Sequence, residues 1–192
     1  GSKVIQHSTR AVKDITRTSS KPVKIGRLLF RLSRYFRPKT IIELGTSVGL
    51  STAWLAAGNP DARVYTIEGC PETASIGSET FHKLQLNNIT LINGHFDEEL
   101  PRLLNTLNEV EMVFIDGNHR WKPTVSYFEQ CLSKSVNGTC FVIDDIHWSD
   151  EMEKAWQEIK DNKRVTMTVD LFFSGLVFVN QGLSKQDLVV RF

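Results

Sequence analysis

The sequence predicts an α/β fold: a doubly wound, mostly parallel sheet finished by a C-terminal antiparallel β-hairpin. Three observations carry that expectation. Five short runs are apolar almost without interruption, at 40–45, 63–68, 89–93, 111–116 and 139–144. Stretches of helical period separate them, which implies right-handed βαβ crossovers and a parallel sheet covered on both faces. Two last apolar runs, 165–173 and 175–179, are joined only at Ser174-Gly175. That is too short for a helical crossover, so they are expected to pair antiparallel at one edge of the sheet.

The elements follow in order. Residues 1–20 are polar, rich in Ser and Thr and weakly patterned, and read as an N-terminal arm. A leading helix is expected at 21–37, where Ile25, Leu28, Leu29, Leu32 and Phe36 share one face and Pro38 ends the run. The strand "TIIELG" (40–45) leads to a helix at 50–58 that stops at Gly58. The strand "RVYTIE" (63–68) precedes a helix around 72–86, and "ITLIN" (89–93) precedes a helix at 98–107. Leu100, Leu103, Leu104 and Leu107 are spaced for one face of the latter. The strand "EMVFID" (111–116) is followed by a helix at 122–134, and "TCFVID" (139–144) by a helix at 150–161. Asp150 with Glu153 has the D-x-x-E spacing of a helix cap. A single domain over 1–192, with its core from 40 onward, fits this length.

Composition narrows the classes of function. Hydrophobic residues make up 41% and charged residues 23%, as in ordinary globular proteins. A net charge of +1 carries no nucleic-acid footprint. Residues 1–40 are locally basic, with Asp14 as their single acid, which reads as a solvated helix face and arm. Cys70, Cys131 and Cys140 have no metal-type spacing, and their odd number suits a reducing, cytoplasmic setting. No apolar run reaches the ~18 residues of a membrane span, and no signal peptide is seen. Oligomeric state is left open, a homodimer included.

In a parallel sheet of this kind, ligands bind beyond the carboxyl ends of the strands. The polar residues there are Glu43–Ser51, Glu68–Cys70, Gly94–Asp97, Asp116–His119 and Asp144–His147. In "ELGTSVGLS" (43–51), Gly45 allows a turn with φ > 0 and Gly49 allows a close approach of backbone or ligand. A plain strand-to-helix turn would use the same residues. Ser47 stands where the middle glycine of a G-x-G-x-x-G dinucleotide loop would be, which disfavours a nicotinamide oxidoreductase. Glu68 ends the second strand, 23 positions after Gly45, where an acid can accept hydrogen bonds from a ribose diol.

At these residues the chain resembles a known family. "ELGTSVGLSTAWLA", "ARVYTIEGCPETASI", "ITLINGHFDEELPRL", "MVFIDGNH" and "GTCFVIDDI" resemble the successive motifs of class I S-adenosylmethionine-dependent methyltransferases, which have a Rossmann-like fold. They are most similar to O-methyltransferases of the catechol type and to the group carrying "FIDG-x-H". The likeness spans about residues 40–150. It implies that Glu43, Gly45, Thr46, Ser47 and Gly49 surround the methionine part of S-adenosylmethionine, with Ser51 at its carboxylate. It implies that Glu68 holds the ribose, that Gly69 and Cys70 lie near the adenine, and that His95, Phe96 and Asp97 lie on its other side. Phe96 can wall the adenine or simply pack in the core.

Asp116 closes the fourth strand and Asp144-Asp145 close the fifth, its expected neighbour. Like charges that close need a cation or hydrogen-bond donors between them. Mg²⁺ suits such a set, with oxygen ligands from carboxylates, water and substrate. The resemblance implies the same ligands, an Asp after strand four and an Asp-Asn pair after strand five. Here the pair is Asp144-Asp145, which adds a charge. Neighbouring strand residues point to opposite faces, so both reach one ion only if the strand has ended at Asp144. Loop amides are the alternative partners for Asp145. His119 falls where the catechol-type enzymes place a basic lysine, and a histidine there can take the proton from a substrate hydroxyl. His147 is a second candidate base, and Trp121 and Trp148 either wall an acceptor or cover the sheet. The expected function is methyl transfer from S-adenosylmethionine to a small-molecule hydroxyl, with or without Mg²⁺. A non-catalytic S-adenosylmethionine binder is the other reading.

Overall fold

The computed structural model describes residues 23–191. The basic arm 1–20 and the first two residues of the predicted leading helix lie outside the described residues. The helices are α1 Val23–Phe36, α2 Leu50–Gly58, α3 Pro71–Lys83, α4 Phe96–Thr106, α5 Trp121–Leu132 and α6 Asp150–Asp161. The strands are β1 Thr40–Leu44, β2 Arg63–Glu68, β3 Ile89–Asn93, β4 Val110–Ile115, β5 Ser135–Asp144, β6 Met167–Asp170, β7 Ser174–Val179 and β8 Gln186–Val189. They form one sheet in the order β3-β2-β1-β4-β5-β7-β6-β8.

The first five strands pair in parallel. β7 runs antiparallel to both β5 and β6. Alternation sorts the core onto two faces. Val113, Ile115, Phe141 and Ile143 pack with α4, α5 and α6. Met112, Phe114, Cys140 and Val142 pack with Ile25 and Leu29 of α1 and Leu55 and Ala56 of α2. Among the described residues, no helix is long and apolar enough to cross a membrane.

Three expectations are corrected. The hairpin is not at the edge: β8 pairs in parallel with β6 and is the outer strand. β8 is short and fully exposed, so no apolar run announces it. The hairpin turn falls at Leu171–Phe173, and Ser174 and Gly175 belong to β7. Asp144 pairs with Ser174, and Leu171 N–H donates to Ser174 O at 3.0 Å, closing the turn before Ser174. The cap of α6 is Ser149, not Asp150: its Oγ accepts from Met152 N–H at 3.3 Å. Asp150 sits in the first turn instead, where a carboxylate still complements the helix dipole.

Candidate active site

The loop after β1 is shaped by two glycines. Gly45 has φ +106°, and a Cβ there would stand 2.1 Å from the Asp116 carbonyl oxygen. Gly49 has φ +84° directly before α2. Ser47 also takes a positive φ, 50°. The loop therefore passes under β4 with bare backbone at its tightest point, which no side chain would permit.

Beneath it lies a buried polar network. Glu43 is fully buried, and its Oε2 accepts from Thr52 Oγ1 and, at 2.6 Å, from Thr66 Oγ1. Ser51 donates to the same carboxylate. Thr46 and Thr66 share a 2.6 Å hydrogen bond between hydroxyls. Glu43 Oε1 has no partner among the described residues. Burial pushes the Glu43 carboxyl up to about 7; the three hydroxyl bonds oppose the rise and the Glu68 charge adds to it.

Glu68 ends β2 as the sequence implied, and both its oxygens are engaged. Ser47 N–H donates to Oε2 at 2.8 Å and Cys70 N–H to Oε1 at 3.0 Å. The acid thus ties the β1 loop to the start of α3. Gly69 and Cys70 are exposed beside it. Across the groove, His95 is exposed at the N-cap of α4, and Phe96 and Asp97 open that helix. Phe96 is half-buried, edge-on to Tyr127 at 5.8 Å between ring centroids.

The acids separate into two settings. Asp116, His119 and Asp145 converge, with one ligand atom from each lying within 4.8 Å of the others. His119 Nε2 is 3.6 Å from Asp116 Oδ1 and 3.7 Å from Asp145 Oδ2. Asp144 is not in that group. It completes β5, is 2% exposed, and its Oδ1 accepts from Ser174 Oγ at 2.6 Å. By alternation Asp144 shares the face of Cys140 and Val142. Asp145 escapes this rule because its φ is +55°, and Phe173 O accepts its N–H at 2.7 Å.

The other candidates divide. Trp121 docks α5 on α6: its N–H donates to Glu151 Oε2 at 3.1 Å and its Nε1–H to Glu158 Oε2 at 2.5 Å. Trp148 is 75% exposed. His147 Nε2 faces Asp170 Oδ2 at 2.8 Å and Nδ1 faces Glu153 Oε1 at 3.4 Å, so it holds the β5–α6 loop to the end of β6. Sequence reasoning missed Ser174, Asp170 and Tyr127, and took in Asn118 only as part of the Asp116–His119 stretch, with no role of its own. Their partners are 9 to 30 positions away in the chain, and only the strand order brings them together.

A glycine loop on the first strand of a doubly wound sheet, with polar groups gathered beyond β1, β2 and β4, is the arrangement at which α/β proteins bind nucleotides and cofactors. Within that class the match is specific. Residues 42–146 fit the family model described as a methyltransferase domain, and the chain belongs to that family. A catechol O-methyltransferase of Niastella koreensis is 31% identical over 124 residues, covering 63% of this chain and 55% of the relative. The chain spans about half the length of the curated relatives it matches. An O-methyltransferase from Bacillus cereus, solved in complex with SAH, superposes with a TM-score of 0.73 at 22% identity, over 88% of this chain and 89% of that one. An SAH-bound methyltransferase from Podospora anserina gives 0.75 at 18%, over 88% and 86%. These two likenesses show the shared fold.

Proposed function

We propose that the protein transfers the methyl group of S-adenosylmethionine to a hydroxyl oxygen of a small-molecule acceptor. The observation that carries this is the convergence of Asp116, His119 and Asp145, with the Asp116 backbone lying against Gly45 of the β1 loop. It sets a histidine and two carboxylates at the carboxyl end of β4, beside the loop that follows β1.

The residues present fit S-adenosylmethionine. The unpartnered Glu43 Oε1 suits a cationic or donor group such as the ligand's ammonium. Gly45, Thr46, Ser47, Gly49 and Ser51 would hold the methionine part. Glu68 would exchange a backbone partner for ribose hydroxyls, and Gly69, Cys70, His95, Phe96 and Asp97 would border the adenine. When bound, the sulfonium supplies a methyl group already activated for attack by oxygen. The chain's task is then alignment and proton removal. His119 takes the acceptor hydroxyl's proton on Nε2, with Asp116 and Asp145 favouring the imidazolium so formed.

Asp116 and Asp145 also fit Mg²⁺, with His119 facing the same point, whereas Asp144, expected as a third ligand, is turned to Ser174 and stands outside that cluster. A bound ion would lower the acceptor hydroxyl's pKa and orient it. Metal-independent transfer is a second reading, favoured by the place of His119: starting neutral, it takes the acceptor's proton, and the imidazolium so formed faces both carboxylates.

Calorimetric titration with S-adenosylmethionine, followed by a catechol turnover assay with Mg²⁺ and then with chelator, tests the proposal. Cofactor binding, and turnover that Asp116→Asn abolishes, are the expected results. A wild-type protein that binds no S-adenosylmethionine overturns it. Turnover indifferent to chelator retains methyl transfer and removes the metal.

A further inference from the structure

One hydrogen-bonded chain joins the two halves of the site. Asn118 Nδ2 donates to Tyr127 Oη at 3.0 Å, and Tyr127 O–H donates to Asp97 Oδ1 at 2.8 Å. Asn118 belongs to the loop that carries Asp116 and His119, while Asp97 lies in the first turn of α4. Tyr127 comes from the middle of α5 and is 1% exposed. Packing follows the same route. A Cβ on Gly117 would stand 2.6 Å from the Phe96 ring, and Phe96 meets Tyr127 edge-on. Asn118 is itself held at φ +62°, a conformation that asparagine tolerates better than most residues and that still needs support.

We infer that Tyr127 is a positioning residue that couples the Asp116–His119 loop to the adenine side of the cofactor groove. The inference rests on the methyl-transfer reading above for the identity of the two sides. The phenol suits the role because it donates and accepts at once. Burial and the Asp97 charge raise its pKa to about 12 while the Asn118 bond lowers it, so Tyr127 keeps its proton at working pH. Cofactor contact with Asp97 would steady Tyr127, which would steady Asn118 and the loop bearing His119. Each half of the site then binds better when the other is in place.

Tyr127→Phe tests this, because it keeps the ring against Phe96 and removes only the hydroxyl. Affinity for SAH is measured by calorimetry in wild type, Tyr127→Phe, Asn118→Gly and the double variant; glycine accepts the positive φ at 118. Each single variant is expected to weaken SAH binding about fivefold, the scale of one net hydrogen bond. The double variant is expected to be no weaker than Tyr127→Phe alone. Amide exchange in the apo protein is the second readout, with faster exchange across 117–120 expected in Tyr127→Phe. Unchanged SAH affinity in Tyr127→Phe, or effects that multiply in the double variant, overturns the coupling. The exchange arm needs no cofactor: unchanged exchange overturns the link even if wild type binds no SAH, a result that sinks the methyl-transfer reading by itself.

Discussion

Gly45 lies against the backbone of Asp116, so close that a Cβ would stand 2.1 Å from the Asp116 carbonyl oxygen. The loop after β1 and the acid that ends β4 are thereby fixed to each other. Asp116 N–H donates to Leu44 O at 2.9 Å and continues the same seam.

Gly45→Ala is expected to break this contact. The new Cβ meets backbone, which cannot swing away, and φ is +106°. A cost of about 2 kcal/mol or more follows from strain of this kind. Urea denaturation measures it; a variant as stable as wild type would mean that the loop and β4 can separate freely.

Glu43 sets a pH dependence. Its carboxyl is raised from 4.5 to about 7, so the fold favours the protonated form. Its contribution is complete below the unfolded value and is lost as pH climbs through 7. A group moved this far changes stability by about 3 kcal/mol between acid and alkaline limits. Wild type compared with Glu43→Gln by urea denaturation at pH 5 and pH 8 should show a shallower decline in the variant. Parallel declines would take Glu43 out of the balance.

Asp145 and Asp144 should respond differently. In a Mg²⁺-assisted reaction, Asp145→Asn raises the Mg²⁺ needed for half-maximal methyl transfer on the order of tenfold. Asp144→Ala leaves the buried Ser174 hydroxyl without its acceptor, at about 1–3 kcal/mol of stability. Metal titration and thermal melting separate the two effects. Asp145→Asn with wild-type Mg²⁺ dependence would point to the metal-independent route.

Ser149→Ala should cost about 1 kcal/mol through loss of the α6 cap. Asp150→Ala should cost only a few tenths, since a charge near a helix start is worth about 0.3–1 kcal/mol. Chemical denaturation of both variants ranks them, and the reverse order would restore Asp150 as the cap.

The parallel half of the sheet was legible because buried strands write themselves as apolar runs, and the helices between them keep one apolar face. Glu68 was legible from its place at a strand end. β8 was not, because all its residues are exposed and it is held by main-chain pairing with β6. The cap shifted by one residue because Ser149 and Asp150 both have capping side chains. Tyr127 looked like plain core, as a buried aromatic does on any helix face. Its hydroxyl partners come from the first turn of α4 and the β4–α5 connection, and a linear reading has no means of bringing those together.

The backbone reversal at Asp145 has its own consequence. With φ at +55°, glycine, asparagine and aspartate fit the position at least cost, and β-branched side chains at the greatest. The catechol-type pattern has asparagine at this corner, and this chain has aspartate. The two differ by one unit of charge and scarcely in shape. An exchange of asparagine and aspartate at this turn therefore changes the charge facing Asp116 and His119 by one unit in a single step, without rebuilding the backbone.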